Sequence, residues 1–307
     1  MRIGLDVGGT KTDAVALDPS GALAGRVRVP TGWGASAVIR TIVEAVALLR
    51  EDAGIPADEV ASIGIGIPGQ VEPGTARVVH AVNLGVAELD LYDAVGASLG
   101  APIRVENDVK AAALGASALH GGSGSMAYLN LGTGVAAGIV HNGALIRGVR
   151  GTAGEIGHIS IDPNGPLCPC GQRGCIEALA GGGSLAQRWG SPGVHPVSDV
   201  FSAADAGDAR ARDLRAGLAR AVAAAVRVLV LTVDVDVVVI GGGLTGLGAP
   251  LLADVSAELA ASAAASPFLR SLRLEERIEL LPSGSPAAAV GAALIGDTAG
   301  TEVVAHG

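Results

Sequence analysis

Aromatic side chains are nearly missing from this chain: two Phe, two Tyr and two Trp make up 2% of 307 residues. A core of Ala, Val, Leu and Ile suits stacked α/β layers and argues against an aromatic-rich β-sandwich. Positive charge is short as well, with 21 Lys and Arg against 30 Asp and Glu and a net charge of −9. The clustered cations that neutralise a nucleic-acid backbone are therefore lacking, and no nucleic-acid partner is expected. No long uncharged apolar run occurs. The most apolar stretch, residues 221–240, is broken by Arg227, Asp234 and Asp236 before it reaches the roughly 18 uncharged residues of a membrane span. It reads as a buried helix running into a buried strand. A charged leader with a cleavage site is also missing before the first strand pattern, so a cytoplasmic protein with no membrane partner is expected. Cysteine is scarce: there are three, an odd number, and only Pro169 separates the first two. Disulfide pairing is thereby disfavoured and a reducing compartment fits.

What is present is 49% hydrophobic residues and 47 glycines, enough for two lobes with many tight backbone sites. The most unusual chemistry lies in residues 151–177, GTAGEIGHISIDPNGPLCPCGQRGCIE, which hold His158, Cys168, Cys170 and Cys175. Proline and glycine between them prevent a regular helix and let the segment fold around an ion. Three thiolates and an imidazole make a closed tetrahedral cage of the kind that binds structural Zn²⁺, although thiolate-rich sites also take iron. The other reading is three buried cysteines packed as small hydrophobes.

Residues 1–17, MRIGLDVGGTKTDAVAL, read as a hairpin whose glycine turn exposes backbone amides. Gly8 and Gly9 let the backbone approach an anion, Thr10 offers a hydroxyl, Lys11 a cation, and Asp6 a carboxylate for hydrated Mg²⁺. A plain turn between strands is the alternative. Residues 35–53 have helical spacing, with Val38, Ile42, Val46 and Leu49 on one face. Residues 60–74 read as a strand entering a Pro-Gly turn at Gly69, and residues 91–99 as a helix. A strand then ends on Glu106-Asn107-Asp108 ahead of a helix over 109–119. A carboxylate at the carboxyl end of a strand stands where α/β proteins place their sites, but Asp108 equally suits a helix N-cap. Residues 126–147 repeat the N-terminal design: strand, turn at Gly132-Thr133-Gly134, strand, and an Asn-Gly hairpin turn. Helices are expected over 198–204 and 208–233, a strand over 235–244 entering Gly241-Gly242-Gly243, a short strand over 277–281, and then a helix of small residues. The polar residues from Asp297 onward are expected to be loose.

GEIGH followed by CxCGxxGCxE resembles the signature of the ROK family, a branch of the sugar kinase, Hsp70 and actin superfamily. DVGGTK, GTGVAAG and the strand entering the glycine triplet resemble its two phosphate motifs and its adenosine motif, in that order along the chain. The resemblance implies a two-lobed actin-like ATPase fold, α/β, made of duplicated ribonuclease H-like domains with a zinc-binding loop. The lobes would be residues 1–109, joined by a C-terminal helix at about 287–307, and residues 110–286, carrying the zinc loop 151–177. It also implies an ATP-dependent sugar kinase, commonly a homodimer. Asp108 would be the base that accepts the 6-hydroxyl proton. Gly69, Asn107, Glu155, His158 and Glu177 would hold the sugar. ATP and Mg²⁺ would meet Asp6, Gly8, Gly9, Thr10, Lys11, Gly132, Thr133, Gly134, Gly241, Gly242 and Gly243. Asn83-Leu84 matches a family motif, but Gly85-Val86 stands where glucokinase-like members carry proline and tryptophan, and Ala136 replaces a common glycine. The first departure favours N-acetylglucosamine over glucose as acceptor. Repressor members of the family place a winged-helix DNA reader ahead of DxGGTK, which here starts within six residues of Met1, so a kinase is expected rather than a sugar-sensing regulator.

Overall fold

The computed structural model describes residues 1–72, 74–190 and 196–297; the expected loose tail lies beyond them. The chain divides into two compact units, Met1–Ser123 with Gly138–Ala153 and Pro286–Gly307, and Gly124–Ala137 with Gly154–Ser285.

In the first unit, strands β1 (Arg2–Val7), β2 (Lys11–Leu17), β3 (Leu23–Pro30), β4 (Ser62–Ile67) and β8 (Ile103–Asn107) form a sheet in the order β3-β2-β1-β4-β8. The hairpin β1–β2 is antiparallel and fully in register from Arg2–Leu17 to Val7–Thr12, whereas β1, β4 and β8 run parallel. Alternation is lost in β4, SIGIGI, because the strand is buried on both faces. Helix α1 (Ala35–Asp52) buries Val38, Ile42, Ala45, Val46 and Leu49, the stripe its spacing predicts, against β2 and β3. A second, three-stranded sheet of β5 (Gln70–Val71), β6 (Arg77–Ala81) and β7 (Val86–Asp90) follows the Gly69 turn and leads into helix α2 (Leu91–Leu99). Sequence reading did not anticipate it, because five-residue strands of mixed polarity carry little period.

The helix Ala287–Asp297 lies directly on β1, β4 and helix α3 (Asp108–Leu119). Its closeness depends on glycine. A methyl group at Gly4 would stand 2.0 Å from the Ala289 carbonyl oxygen, and one at Gly291 1.7 Å from that of Ala111. The near absence of aromatics and the abundance of Gly and Ala thus have one cause, a core in which backbones touch.

Strands β9 (Ser125–Leu131), β10 (Val135–His141), β11 (Ala144–Ile146), β12 (Val237–Gly241) and β13 (Ile278–Leu280) order as β11-β10-β9-β12-β13. The boundary between the units runs through β10. The order repeats that of the first sheet, hairpin strands at one side and parallel strands at the other, as a duplicated design requires. The second unit also holds helices α4 (Ile176–Ala180), α5 (Gly182–Trp189), α6 (Pro196–Asp205), α7 (Ala209–Val233) and α8 (Ala249–Ala263). Asp208, expected inside α7, instead caps it by accepting the Ala211 N–H at 2.8 Å. Among the described residues α7 is the one helix long and apolar enough to cross a membrane, but it packs against α4, α6 and α8 as a core helix.

Candidate functional site

In the first unit the β1–β2 turn is held open by backbone bonds. Gly8 donates its N–H to the Lys11 carbonyl at 3.0 Å, and the Thr10 carbonyl accepts the Thr31 N–H at 3.1 Å. Gly9, Thr10 and Lys11 are exposed. Just before the turn the Asp6 carboxyl is pushed up to about 7, first by burial and then by the charges of Asp108 and Asp13, with Lys11 and Arg28 offsetting part. Crowded carboxylates that raise one another's proton affinity are relieved by a divalent cation, so the residues present fit Mg²⁺.

The end of β8 shows which residue caps the helix that follows. Asn107, not Asp108, is the N-cap of α3: its Oδ1 accepts the N–H groups of Val109 at 3.1 Å and Lys110 at 3.2 Å. Its Nδ2 donates to the Gly69 carbonyl and to Asp108 Oδ1, each at 3.1 Å. Asp108 Oδ1 also accepts the Val109 N–H at 2.9 Å. Gly69 has φ +98°, which a side chain would strain, and a methyl there would meet the Val79 carbonyl at 2.6 Å. Asp6, Gly69, Asn107, Asp108 and the 8–11 turn therefore belong to one unit.

Behind Asn107 stands a pair that sequence reading missed. Glu106 is 7% exposed; its Oε1 accepts the Asn107 N–H at 3.0 Å and its Oε2 accepts Arg147 Nε at 2.6 Å. Forty-one positions separate the partners, so no local pattern announces the pair.

The second unit gathers Gly132, Thr133, Gly134, Glu155, His158, Glu177, Gly241, Gly242, Gly243 and the three cysteines. The Gly132–Gly134 turn docks on another glycine triplet, Gly181-Gly182-Gly183, with Gly182 and Gly183 donating N–H bonds to the carbonyls of Gly132 and Thr133 at 2.8 and 3.0 Å. The sequence pattern alone assigns residues 181–183 no role. Glu177 Oε2 accepts the Val135 N–H at 2.9 Å, and a methyl on Gly134 would stand 2.4 Å from that oxygen. A residue expected at the sugar and one expected at the phosphates thus share one contact. In the other triplet Gly241 is buried under Tyr128, whose hydroxyl would lie 2.2 Å from an added methyl, while Gly243 faces open space. Glu155 is exposed and precedes the short helical turn Ile156–His158.

One ligand atom from each of His158, Cys168, Cys170 and Cys175 lies within 4.8 Å of every other. Cys170 and Cys175 sulfurs are 3.7 Å apart, and Cys168 Sγ is 3.9 Å from His158 Nδ1. A tetrahedron with Zn–S bonds of about 2.3 Å has edges of about 3.8 Å, so the donor set fits zinc in spacing as well as in kind. At 3.7 Å the sulfurs are not bonded, and the cysteines are free thiols. Burial pushes the Cys175 thiol up to about 12 and that of Cys168 up too, whereas hydrogen bonds from Gln172 bring exposed Cys170 down to about 6. Buried sulfurs of this kind ionise readily only against a cation.

The ROK family model matches residues 2–298. The chain is 34% identical over 274 residues to a glucokinase of Halalkalibacterium halodurans, covering 82% of this chain and 83% of that one. It is 33% identical over 244 residues to an N-acetylmannosamine kinase of Yersinia pseudotuberculosis, covering 78% and 82%. Among solved structures it is similar to a ROK family glucokinase from Streptomyces griseus in complex with glucose and AMPPNP, with 30% identity and a TM-score of 0.77 over 96% of this chain and 98% of that one.

Proposed function

Because the chain belongs to the ROK family and is an ATP-dependent sugar kinase of actin-like α/β fold, we propose that it transfers the γ-phosphoryl group of ATP to the 6-hydroxyl of a gluco-configured hexose. Glucose is the first acceptor in this reading, supported by the two glucokinases to which the chain is similar. N-acetylglucosamine, the acceptor expected from Gly85-Val86, is the second reading. A named N-acetylmannosamine kinase at 33% identity favours keeping 2-acetamido sugars in the test.

The observation that carries the proposal is Asp108 at the carboxyl end of β8, its carboxylate steadied by Asn107 Nδ2 and the Val109 N–H. In this role Asp108 takes the proton of the 6-hydroxyl as that oxygen attacks phosphorus, help worth about 10²–10⁴-fold. Asn107 and the Gly69 turn hold neighbouring hydroxyls in the first unit; Glu155, His158 and Glu177 do so in the second, where carboxylates accept from adjacent hydroxyls. The turns at Gly8–Lys11 and Gly132–Gly134 offer backbone amides to phosphates, and Gly243, which faces open space, leaves room for adenosine. Mg²⁺ held near Asp6 with the nucleotide would supply charge neutralisation on the transferred group, so positioning is the larger task left to the chain.

His158 joins the two halves of this reading. Its Nδ1 faces Cys168 Sγ, leaving Nε2 for a sugar hydroxyl. Zinc held by His158, Cys168, Cys170 and Cys175 would fix the tautomer and ring orientation of His158 as a substrate ligand. The enzyme is read as a cytoplasmic homodimer. A coupled ATP assay over glucose, N-acetylglucosamine and N-acetylmannosamine tests the acceptor: the highest kcat/KM for glucose supports the first reading, for N-acetylglucosamine the second, and turnover of none overturns both.

A further inference from the structure

The first unit contains a cavity of about 400 Å³ that the phosphoryl-transfer residues do not line. Its lining includes Arg104 and Glu106 on β8, Lys110 on α3, Arg147 and Gly151, together with Glu72 and Thr75 beside β5 and Asp90 and Tyr92 at the start of α2. Its size is that of an ordinary small-molecule site.

The charges in this lining do not cancel locally. Glu106 is taken by Arg147. Glu72 and Asp90 flank Arg77, which pairs with Glu88. Lys110 is left over. It is 6% exposed, its ammonium donates to the Gly151 carbonyl, and among the described residues no carboxylate comes within 4.0 Å of it. An ammonium has three donors, and a buried cation answered by one neutral carbonyl is a costly arrangement unless an anion completes it. Arg104, exposed in the same lining, has no ion pair among the described residues. Two cations thus border a cavity that is also lined by Glu72, by Asp90, whose Oδ1 caps α2, and by Thr75, groups that suit hydroxyls rather than a second anion.

We propose that this cavity is a binding site for a phosphate monoester of a polyol, with the phosphate on Lys110 and Arg104 and hydroxyls toward Glu72, Thr75 and Asp90. None of the residues assigned to the acceptor or the nucleotide lines this cavity, yet it is linked to them through the chain. Lys110 lies in the first turn of α3 two residues after Asp108, and Glu106 binds the Asn107 N–H. Occupancy therefore adjusts the segment that carries the base, which makes the site a means for a sugar phosphate to regulate the enzyme.

The test is calorimetric titration of the full chain with glucose 6-phosphate and, separately, inorganic phosphate, with glucose held in excess to occupy the acceptor position. Saturable binding of glucose 6-phosphate is expected, tighter than that of inorganic phosphate, weakened about tenfold by Arg104→Ala and lost in Lys110→Met. The Lys110→Met protein should also melt no lower than wild type without ligand, because an unneutralised buried charge has been removed. Arg104 is exposed, so its variant keeps the test valid if the buried one fails to fold. Binding unchanged in Arg104→Ala, equal affinity for the two ligands, or no saturable binding would overturn the proposal. None of these readouts needs catalysis, so failure here is distinct from failure of the kinase reading.

Discussion

Replacing Arg147 by methionine removes one partner of the Glu106 pair while keeping most of the volume. The Glu106 side chain is 9% exposed and that of Arg147 33%, and their contact is 2.6 Å. Breaking a fully buried pair from one side costs about 3–5 kcal/mol, because a charge is left without its partner. The exposure of Arg147 admits water, so about 2 kcal/mol is expected, a fall in Tm of about 4–8 °C. The same change loosens the Asn107 N–H and with it Asp108, which should lower kcat/KM for the sugar about tenfold. Glu106→Gln retains an acceptor for Asn107 and should cost about 1 kcal/mol. The informative protein is the double variant, which has no stranded charge. It should be more stable than Arg147→Met alone, a coupling of about 1 kcal/mol by urea denaturation. If the double variant is no more stable than Arg147→Met, or if Arg147→Met leaves both Tm and kcat/KM unchanged, the pair does not act as described.

Three further outcomes follow from the same geometry. With the Asp6 carboxyl at about 7 in the folded chain against 3.8 as its ordinary value, the folded state holds this proton more tightly. The associated stability is complete below about pH 4 and is lost as pH rises to about 7; its ceiling is about 4 kcal/mol, roughly half that for a group partly open to water. Asp6→Asn should flatten this part of the stability profile in metal-free buffer, and an unaltered slope would contradict the crowding of Asp6 by Asp108. Cys170→Ser should reduce bound zinc from one per chain, lower Tm and raise KM for the sugar about tenfold or more; elemental analysis and kinetics that match wild type would remove the cage from the account. Gly134→Ala drives a methyl into Glu177 Oε2, so it should cost about 1–3 kcal/mol and weaken sugar and ATP together. A variant with normal KM for both would show that the Glu177 contact is incidental.

Much of the fold could be read beforehand because its elements are local and strongly patterned. The α1 stripe, the β1–β2 hairpin and the apolar run of α7 into β12 all repeat within a few residues, and the cysteine cluster lies in eight consecutive positions. What escaped reading depends on distant partners. Asp108 and Asn107 are both good N-caps, and only the backbone geometry at the end of β8 assigns the cap to Asn107. The Glu106–Arg147 pair, the Val135–Glu177 bond and the docking of Gly182 and Gly183 on the Gly132–Gly134 turn join residues that share no period. Glycine abundance was visible, but not which glycines lie under a helix and which shape a turn.

The central claim is that Asp108 is the base for ATP-dependent phosphorylation of a sugar hydroxyl, and the most direct measurement compares wild type with Asp108→Asn. Each is incubated with Mg-ATP and glucose, or an acetamido hexose, and the product is identified by phosphorus NMR. Wild type should give the 6-phosphate at about 1–100 s⁻¹, and Asp108→Asn should be slower by at least about 100-fold while still binding the sugar. Equal turnover by the two proteins, or phosphate on a different hydroxyl, would contradict it.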